Sequence, residues 1–343
     1  MGTNFFHVDT NPKILDWAIT SSGWTTSLLS KRLGVNEKII SDWTKGSAKP
    51  TINQLENFAT VVKRPLAIFF LEEVPEDKPL PKDYRRHPKE RGNFDRKTLL
   101  AIRQSRSLQS ASSELSNNIG QTLEPKLPKA NLNSNTKGIA DQYREMLNFN
   151  IGVNKKMDSP YKMFNYLRDV LEEKNVFVFQ VSMPLEDARG FCLLDDLPYV
   201  IVINSKDSIK ARLFTLAHEI GHVSLGKSEI GIPQEYLKND SSDLDSVEVW
   251  CNDFASEFLL TEEEAKNIFG ENKQRLLDTR TLNTLSNKYK FSKAMLLYNM
   301  HKWKFIDTKQ YNNVLNRYTA ELTPTTPKKK GKKCEFVLCT KIC

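Results

Sequence analysis

Ten residues constrain this 343-residue chain more than any others: Leu213-Phe214-Thr215-Leu216-Ala217-His218-Glu219-Ile220-Gly221-His222. On a helix, residues four apart lie roughly 40° apart around the axis and one turn along it. The imidazoles of His218 and His222 therefore reach toward one point. Leu213, Leu216, Ala217 and Ile220 form an apolar face, which asks for burial. The fold must hold a core helix whose polar features are two imidazoles and a carboxylate.

His-Glu-x-x-His is the spacing that zinc peptidases use. It assigns His218 and His222 as metal ligands and Glu219, beside the open coordination position, as general base. A catalytic zinc takes three protein ligands and a water, so one ligand must come from elsewhere. Residues 247–260 read as an amphipathic helix, and Glu248 near its start offers the oxygen of a His₂Glu site. On spacing alone Glu257, Asp243, Asp245 and Glu235 satisfy the same requirement. The expected ion is Zn²⁺, and the donor set also suits Mn²⁺.

The rest of the chain reads as α+β. Three β-like runs, Val176 to Val181, Gly190 to Leu194 and Tyr199 to Asn204, precede the histidine helix. They predict a three-stranded sheet, with Asp195, Asp196 and Pro198 turning between the second and third. Tyr199 to Asn204 is the nearest candidate edge for a substrate bound as an added strand. Helices are expected through Ile139 to Leu147, Tyr161 to Glu173, Ser246 to Leu260, Glu262 to Phe269, Leu282 to Lys288 and Lys293 to Trp303.

The first 72 residues carry helical spacing only, in Ile14, Trp17, Ala18; Leu28, Leu29, Leu33; Ile39, Ile40, Trp43; and Leu55, Phe58, Ala59, Val62. Gly34 suits a helix C-cap, Asn36 an N-cap, and Thr51 with Gln54 a capping box. Four units follow: a helical domain over 1–72, a Pro-rich and basic linker with a helical segment over 73–135, a domain of sheet and metal helix over 136–305, and a Lys-rich tail over 306–343.

Charge and cysteine usage set the context. The chain carries a net +8, and residues 82–106 hold nine Lys or Arg against three acids. Such a balance favours an acidic partner, nucleic acid included. Five cysteines in so long a chain make no disulfide framework; Cys192 and Cys251 sit in apolar stretches, and Cys334, Cys339 and Cys343 crowd the end. With no secretory pattern at the start and no apolar run of spanning length, a cytoplasmic protein without membrane contact is expected.

Two segments together resemble the ImmA/IrrE metallopeptidases. The stretch Arg212 to His222 matches that family's first site helix. Glu248, Asn252, Phe254, Ala255, Glu257 and Leu259 match the second, with Cys251 where Ala is usual and Thr261 where Pro often follows. The resemblance implies a zincin-like domain and makes Glu248 the third ligand. Asn252 and Glu257 are candidates to orient the imidazoles, and Arg212 and Asn204 read as scaffold. Residues 28–35 and 40–51 resemble a Cro-repressor or Xre-type helix-turn-helix, a common partner of such peptidases. That resemblance implies double-stranded DNA as a partner, met by Asn36, Lys38, Ser41, Lys45 and Lys49 on and after the recognition helix.

The implied function is a zinc-dependent regulatory endopeptidase that cleaves a repressor or antitoxin and is coupled to DNA binding. The alternative is a non-enzymatic helix-turn-helix regulator or antitoxin-like partner with a structural metal site. Glu219 separates the two, because a structural site needs ligands and no base. A general digestive protease has no use for a DNA-binding unit.

Overall fold

The computed structural model describes residues 6–78, 80, 94–227, 230–231 and 246–322. The Lys-rich stretch after Pro327, the last three cysteines, and Glu235, Asp243 and Asp245 lie outside the described residues. So does most of the basic stretch before Phe94.

Four helices open the chain: α1 (Pro12–Ser21), α2 (Thr26–Leu33), α3 (Glu37–Lys45) and α4 (Ile52–Val62). Each start carries the side chain its free amides need. Asn11, Thr25, Asn36 and Thr51 accept from Lys13, Leu28, Lys38 and Gln54 amides, and Thr51 with Gln54 completes a capping box. The inward residues Ile14, Leu15, Ala18, Leu29, Ile40, Trp43, Leu55, Phe58 and Val62 make a core of their own, closed by Phe69 of a short 3₁₀ turn at Leu66–Phe70.

The second core surrounds a small mixed sheet. Strands β1 (Val176–Val181), β2 (Gly190–Leu193), β3 (Tyr199–Asn204) and β4 (Ile230–Gly231) lie in the order β1-β3-β2-β4. β1 runs parallel to β3, while β2 is antiparallel to both β3 and β4. The three longer strands fall where the hydrophobic runs predict them; two-residue β4 is too short to carry a pattern.

One expectation is corrected here. β3 is interior, paired on both sides, so it offers no edge to a substrate. Its continuous burial from Val200 to Asn204 is the pattern of a strand covered on both faces. β2 is likewise flanked on both sides, its Gly190–Phe191 stretch pairing with β4, and the outer strands of the described sheet are β1 and β4.

Alternation along the strands divides the side chains between two faces. Val176, Val178, Cys192, Ile201 and Ile203 pack on α8 (Pro160–Glu172) and α9 (Ile209–Leu225). Phe191, Leu193, Val200 and Val202 face Phe94, Ala101 and Ile102 at α5 (Arg96–Asn118). The sequence read α5 as a polar helical segment beside a linker. Its inward stripe is Thr98, Ala101, Ile102, Ser105 and Gln109, helical in period yet only partly apolar. Two of the polar members reach the sheet and its loops: Gln109 Nε2 donates to the carbonyls of Leu193 (3.3 Å), Asp196 (3.0 Å) and Pro198 (2.9 Å), and Thr98 Oγ1 donates to Asp187 (2.5 Å).

The other side of α5 holds the N-terminal helices. Arg103 donates to Ser22 Oγ (3.1 Å) and to the carbonyls of Val62 (3.1 Å) and Lys63 (2.9 Å), satisfying the C-terminal end of α4. Arg96 stacks over the Trp24 ring at 3.5 Å, and Arg106 pairs with Asp195. Three cations of the basic stretch are thus engaged within the protein.

The remaining helices are α6 (Thr136–Met146), α7 (Ile151–Lys156), α10 (Ser246–Leu259), α11 (Glu262–Gly270), α12 (Thr279–Tyr289), α13 (Lys293–Lys302) and α14 (Thr308–Leu322). α14 falls in the segment read from sequence as tail. Its Tyr311, Val314 and Leu315 belong to the main core. Among the described residues, no helix is long and apolar enough to cross a membrane.

Candidate metal centre

Local chemistry dictates α9. Ser208 caps its start through the Ala211 amide, and Gly226 ends it at φ 62°. The helix is buried almost all round because the sheet lies on one side and α10 on the other. That double cover explains why His218, Glu219 and His222 are each no more than 2% exposed.

α10 approaches α9 unusually closely. A Cβ added at Gly221 would lie 3.1 Å from Cys251 Sγ and 3.2 Å from Cys251 Cα. Glycine at 221 therefore removes the atom that would hold the helices apart. Glu248, one turn before Cys251, is 2% exposed and faces both imidazoles. The Nε2 atoms of His218 and His222 are 3.1 Å apart. Glu248 Oε2 lies 3.4 Å from His218 Nε2, and Oε1 lies 3.6 Å from His222 Nε2.

These separations fit a metal ion. Ligand bonds of about 2.0–2.1 Å in a tetrahedron set donor atoms about 3.3 Å apart, close to all three distances. His218, His222 and Glu248 form a buried group able to hold a metal ion. Electrostatics agrees with geometry: two carboxylates, Glu219 and Glu248, are buried together, and buried charge is tolerated where a counter-charge balances it. A divalent cation supplies that balance.

Glu219 sits outside the donor triangle, with Oε1 against β2 at Gly190. Arg212 donates to the carbonyls of Asp207 (2.9 Å) and Ser205 (2.5 Å) and to Gln180 Oε1 (2.8 Å), tying the β3–α9 turn to β1. Asn204 Nδ2 donates to the carbonyls of Met183 (3.1 Å) and Ala188 (2.9 Å), fixing the loop into β2. Asn252 is fully buried one turn beyond Glu248. Glu257 is nine residues beyond Glu248, about 13 Å along the helix. It meets the field of Lys302 and Lys137, and burial pushes its carboxyl up.

Residues 171–301 match the IrrE N-terminal-like domain. The match runs from the end of α8 to α13 and contains the sheet and both helices of the metal site. It supports a metallopeptidase of the ImmA/IrrE family. No curated protein and no solved structure matches the chain.

The five residues singled out for DNA contact all lie on or just beside α3. Lys38, Lys45 and Lys49 are exposed, and Ser41 is half-buried. Asn36 uses its side-chain oxygen to cap the Lys38 amide at 2.9 Å, and Lys49 pairs with Asp9 at 2.5 Å. Glu37 and Asp42, awkward near phosphate, have local roles: Glu37 lies in the first turn, where the helix dipole favours an acid, and Asp42 accepts from Ser47 Oγ.

Sequence reasoning missed Gly190 and Thr215, which pack together beside Glu219. The available signal was a glycine at the start of an otherwise apolar strand, which marks a close approach by another group.

Proposed function

We propose that the chain is a zinc-dependent regulatory endopeptidase fused to an N-terminal helix-turn-helix, acting on a protein such as a repressor or antitoxin. The carrying observation is the convergence of His218, His222 and Glu248 on one buried point with a second buried carboxylate, Glu219, beside it. A metal held only for structure has no need of Glu219.

His218 and His222 contribute neutral imidazoles, and Glu248 a carboxylate. When bound, a zinc ion supplies Lewis acidity toward water and a peptide carbonyl. Glu219 accepts the proton of the attacking water and delivers it to the departing amide nitrogen as the C–N bond breaks. The dry surroundings strengthen each of these charge interactions. Manganese suits the same donors.

The N-terminal unit supports the regulatory half of this reading. α2 and α3 (joined by the turn at Gly34–Asn36) leave Lys38 and Lys45 exposed on one helix, with Ser41 between them. Such a helix meets phosphates and base edges in a major groove. Its attachment to α5 through Arg103 joins the peptidase and DNA-binding functions in one chain.

The test begins with metal content of wild type, His218→Ala and Glu248→Ala purified without added metal. About one zinc per chain, lost in both variants, is expected. Zinc-loaded wild type is then incubated with a proteome-derived peptide library, and new N-termini are mapped against Glu219→Gln. Cleavage at a restricted motif by wild type alone supports the proposal. A folded chain that never holds metal, or cleavage unaffected by Glu219→Gln, overturns it.

A further inference from the structure

Gly190 opens β2 directly opposite the metal helix. A Cβ built there would lie 2.7 Å from Thr215 Cγ2, 3.0 Å from Glu219 Oε1 and 3.1 Å from the carbonyl oxygen of Val202. Two carbons normally meet at about 3.5–4.0 Å, so the position has no room for even a methyl group. Its φ lies outside the left-handed region, so the backbone does not demand glycine. Glycine inside a strand costs order and packing. Space for a neighbour is what the position provides.

We infer that Gly190 and Thr215 are positioning residues for Glu219: the missing side chain on β2 forms a recess for its carboxylate, and the Thr215 methyl fixes the recess's width. Three surfaces bound it, and two are stiff. The Val202 carbonyl belongs to interior strand β3. Thr215 is β-branched on a helix, which limits its χ1, and it is fully buried. The Glu219 carboxylate is the far end of a rotatable side chain and yields more readily than a strand carbonyl. A methyl at 190 therefore presses on both Thr215 and Glu219, neither of them in the donor triangle, so Glu219 should be displaced while His218, His222 and Glu248 keep their places. Thr215 Oγ1 is buried with no hydrogen-bond partner among the described residues, so the residue serves by shape.

The inference rests on the peptidase reading for its catalytic meaning and on packing alone for its geometry. The full-length chain in EDTA is compared as wild type, Gly190→Ala, Thr215→Ala and the double variant by thermal unfolding. Gly190→Ala should lower the midpoint, and Thr215→Ala in that background should recover part of the loss. Strictly additive effects overturn the recess. Each protein is then zinc-loaded and titrated with acetohydroxamic acid, which chelates the metal and hydrogen-bonds the neighbouring carboxylate. Gly190→Ala should keep its zinc yet bind the hydroxamate as weakly as Glu219→Gln, with binding regained in the double variant. Wild-type hydroxamate affinity in zinc-loaded Gly190→Ala overturns the positioning role. A wild type that takes up no zinc sinks the peptidase reading instead, and the EDTA comparison still decides the recess.

Discussion

Replacing Glu248 by alanine should abolish the stabilisation that zinc gives the fold, and replacing Glu219 by glutamine should not. The donor triangle of His218, His222 and Glu248 has edges of 3.1, 3.4 and 3.6 Å, so an ion held there would stabilise only the folded chain, the triangle being lost once α9 and α10 separate. A ligand present at 1,000 times its dissociation constant adds about 4.1 kcal/mol to the native state. For a folding unit of this size, each kcal/mol moves the midpoint by about 2–4 °C. Zinc should therefore raise the wild-type midpoint by about 8–16 °C over EDTA. Glu248→Ala removes one vertex and should reduce that shift to near zero. Comparing each variant with and without zinc cancels the packing loss from truncating a buried side chain. Glu219 Oε1 lies against Gly190, outside the triangle, so Glu219→Gln should retain the whole shift. The assay is circular dichroism melting at fixed free zinc. A full zinc shift in Glu248→Ala, or none in Glu219→Gln, would refute the assignment of ligand and base.

Three further outcomes are expected. Arg103→Met removes three hydrogen bonds between α5 and the N-terminal helices. Burial, with Arg64 nearby, already holds this guanidinium down to about 10, which offsets part of the gain, so a loss of about 2 kcal/mol is expected, together with faster limited proteolysis between α4 and α5; unchanged cleavage there would count against Arg103 as the joint. Burial, opposed by Lys302, raises the Glu257 carboxyl, so the native state holds its proton more tightly than the unfolded chain does. Stability is then lost as pH rises from the ordinary value of 4.5 through the raised one, and by linkage Glu257→Gln should melt higher than wild type at neutral pH with the advantage vanishing below that window; a variant no more stable at pH 7 contradicts the sign. In fluorescence anisotropy with duplex DNA, Lys38→Glu with Lys45→Glu should weaken binding and reduce the slope of log K against log salt by about 1.8, at about 0.9 for each phosphate no longer neutralised; an unchanged slope would remove α3 from the interface.

Much of the site was legible because its information is local. Four-residue spacing places His218 and His222 on one helix face, and the neighbouring apolar residues require that face to be buried. The α1–α4 caps are equally local, since Asn11, Thr25, Asn36 and Thr51 act on amides two or three residues away. The strands of β1 to β3 announced themselves by composition. Their order did not: nothing in the run Tyr199 to Asn204 says that it lies between β1 and β2, because pairing partners are chosen by the whole sheet. α5 was obscured for a related reason. Its inward stripe contains Thr98 and Gln109, which look solvated until the Asp187 carboxylate and the carbonyls of Leu193, Asp196 and Pro198 are brought beside them, and Ser105, which bonds back to Ala101 in the same helix.

The sequence by itself determined the donor geometry on one helix: a rigid helical repeat aims His218 and His222 at one point and sets Glu219 beside them. Tertiary structure decided which carboxylate joins the two imidazoles and where Glu219 rests. Among the described residues, the close fit of Gly221 against Cys251 sets α10 against α9 and brings Glu248 to the two imidazoles. Glu219 has its resting place because β2 offers no side chain at Gly190. Both depend on atoms that are missing where elements meet, and a close approach is a property of two surfaces, which one segment of sequence cannot specify alone.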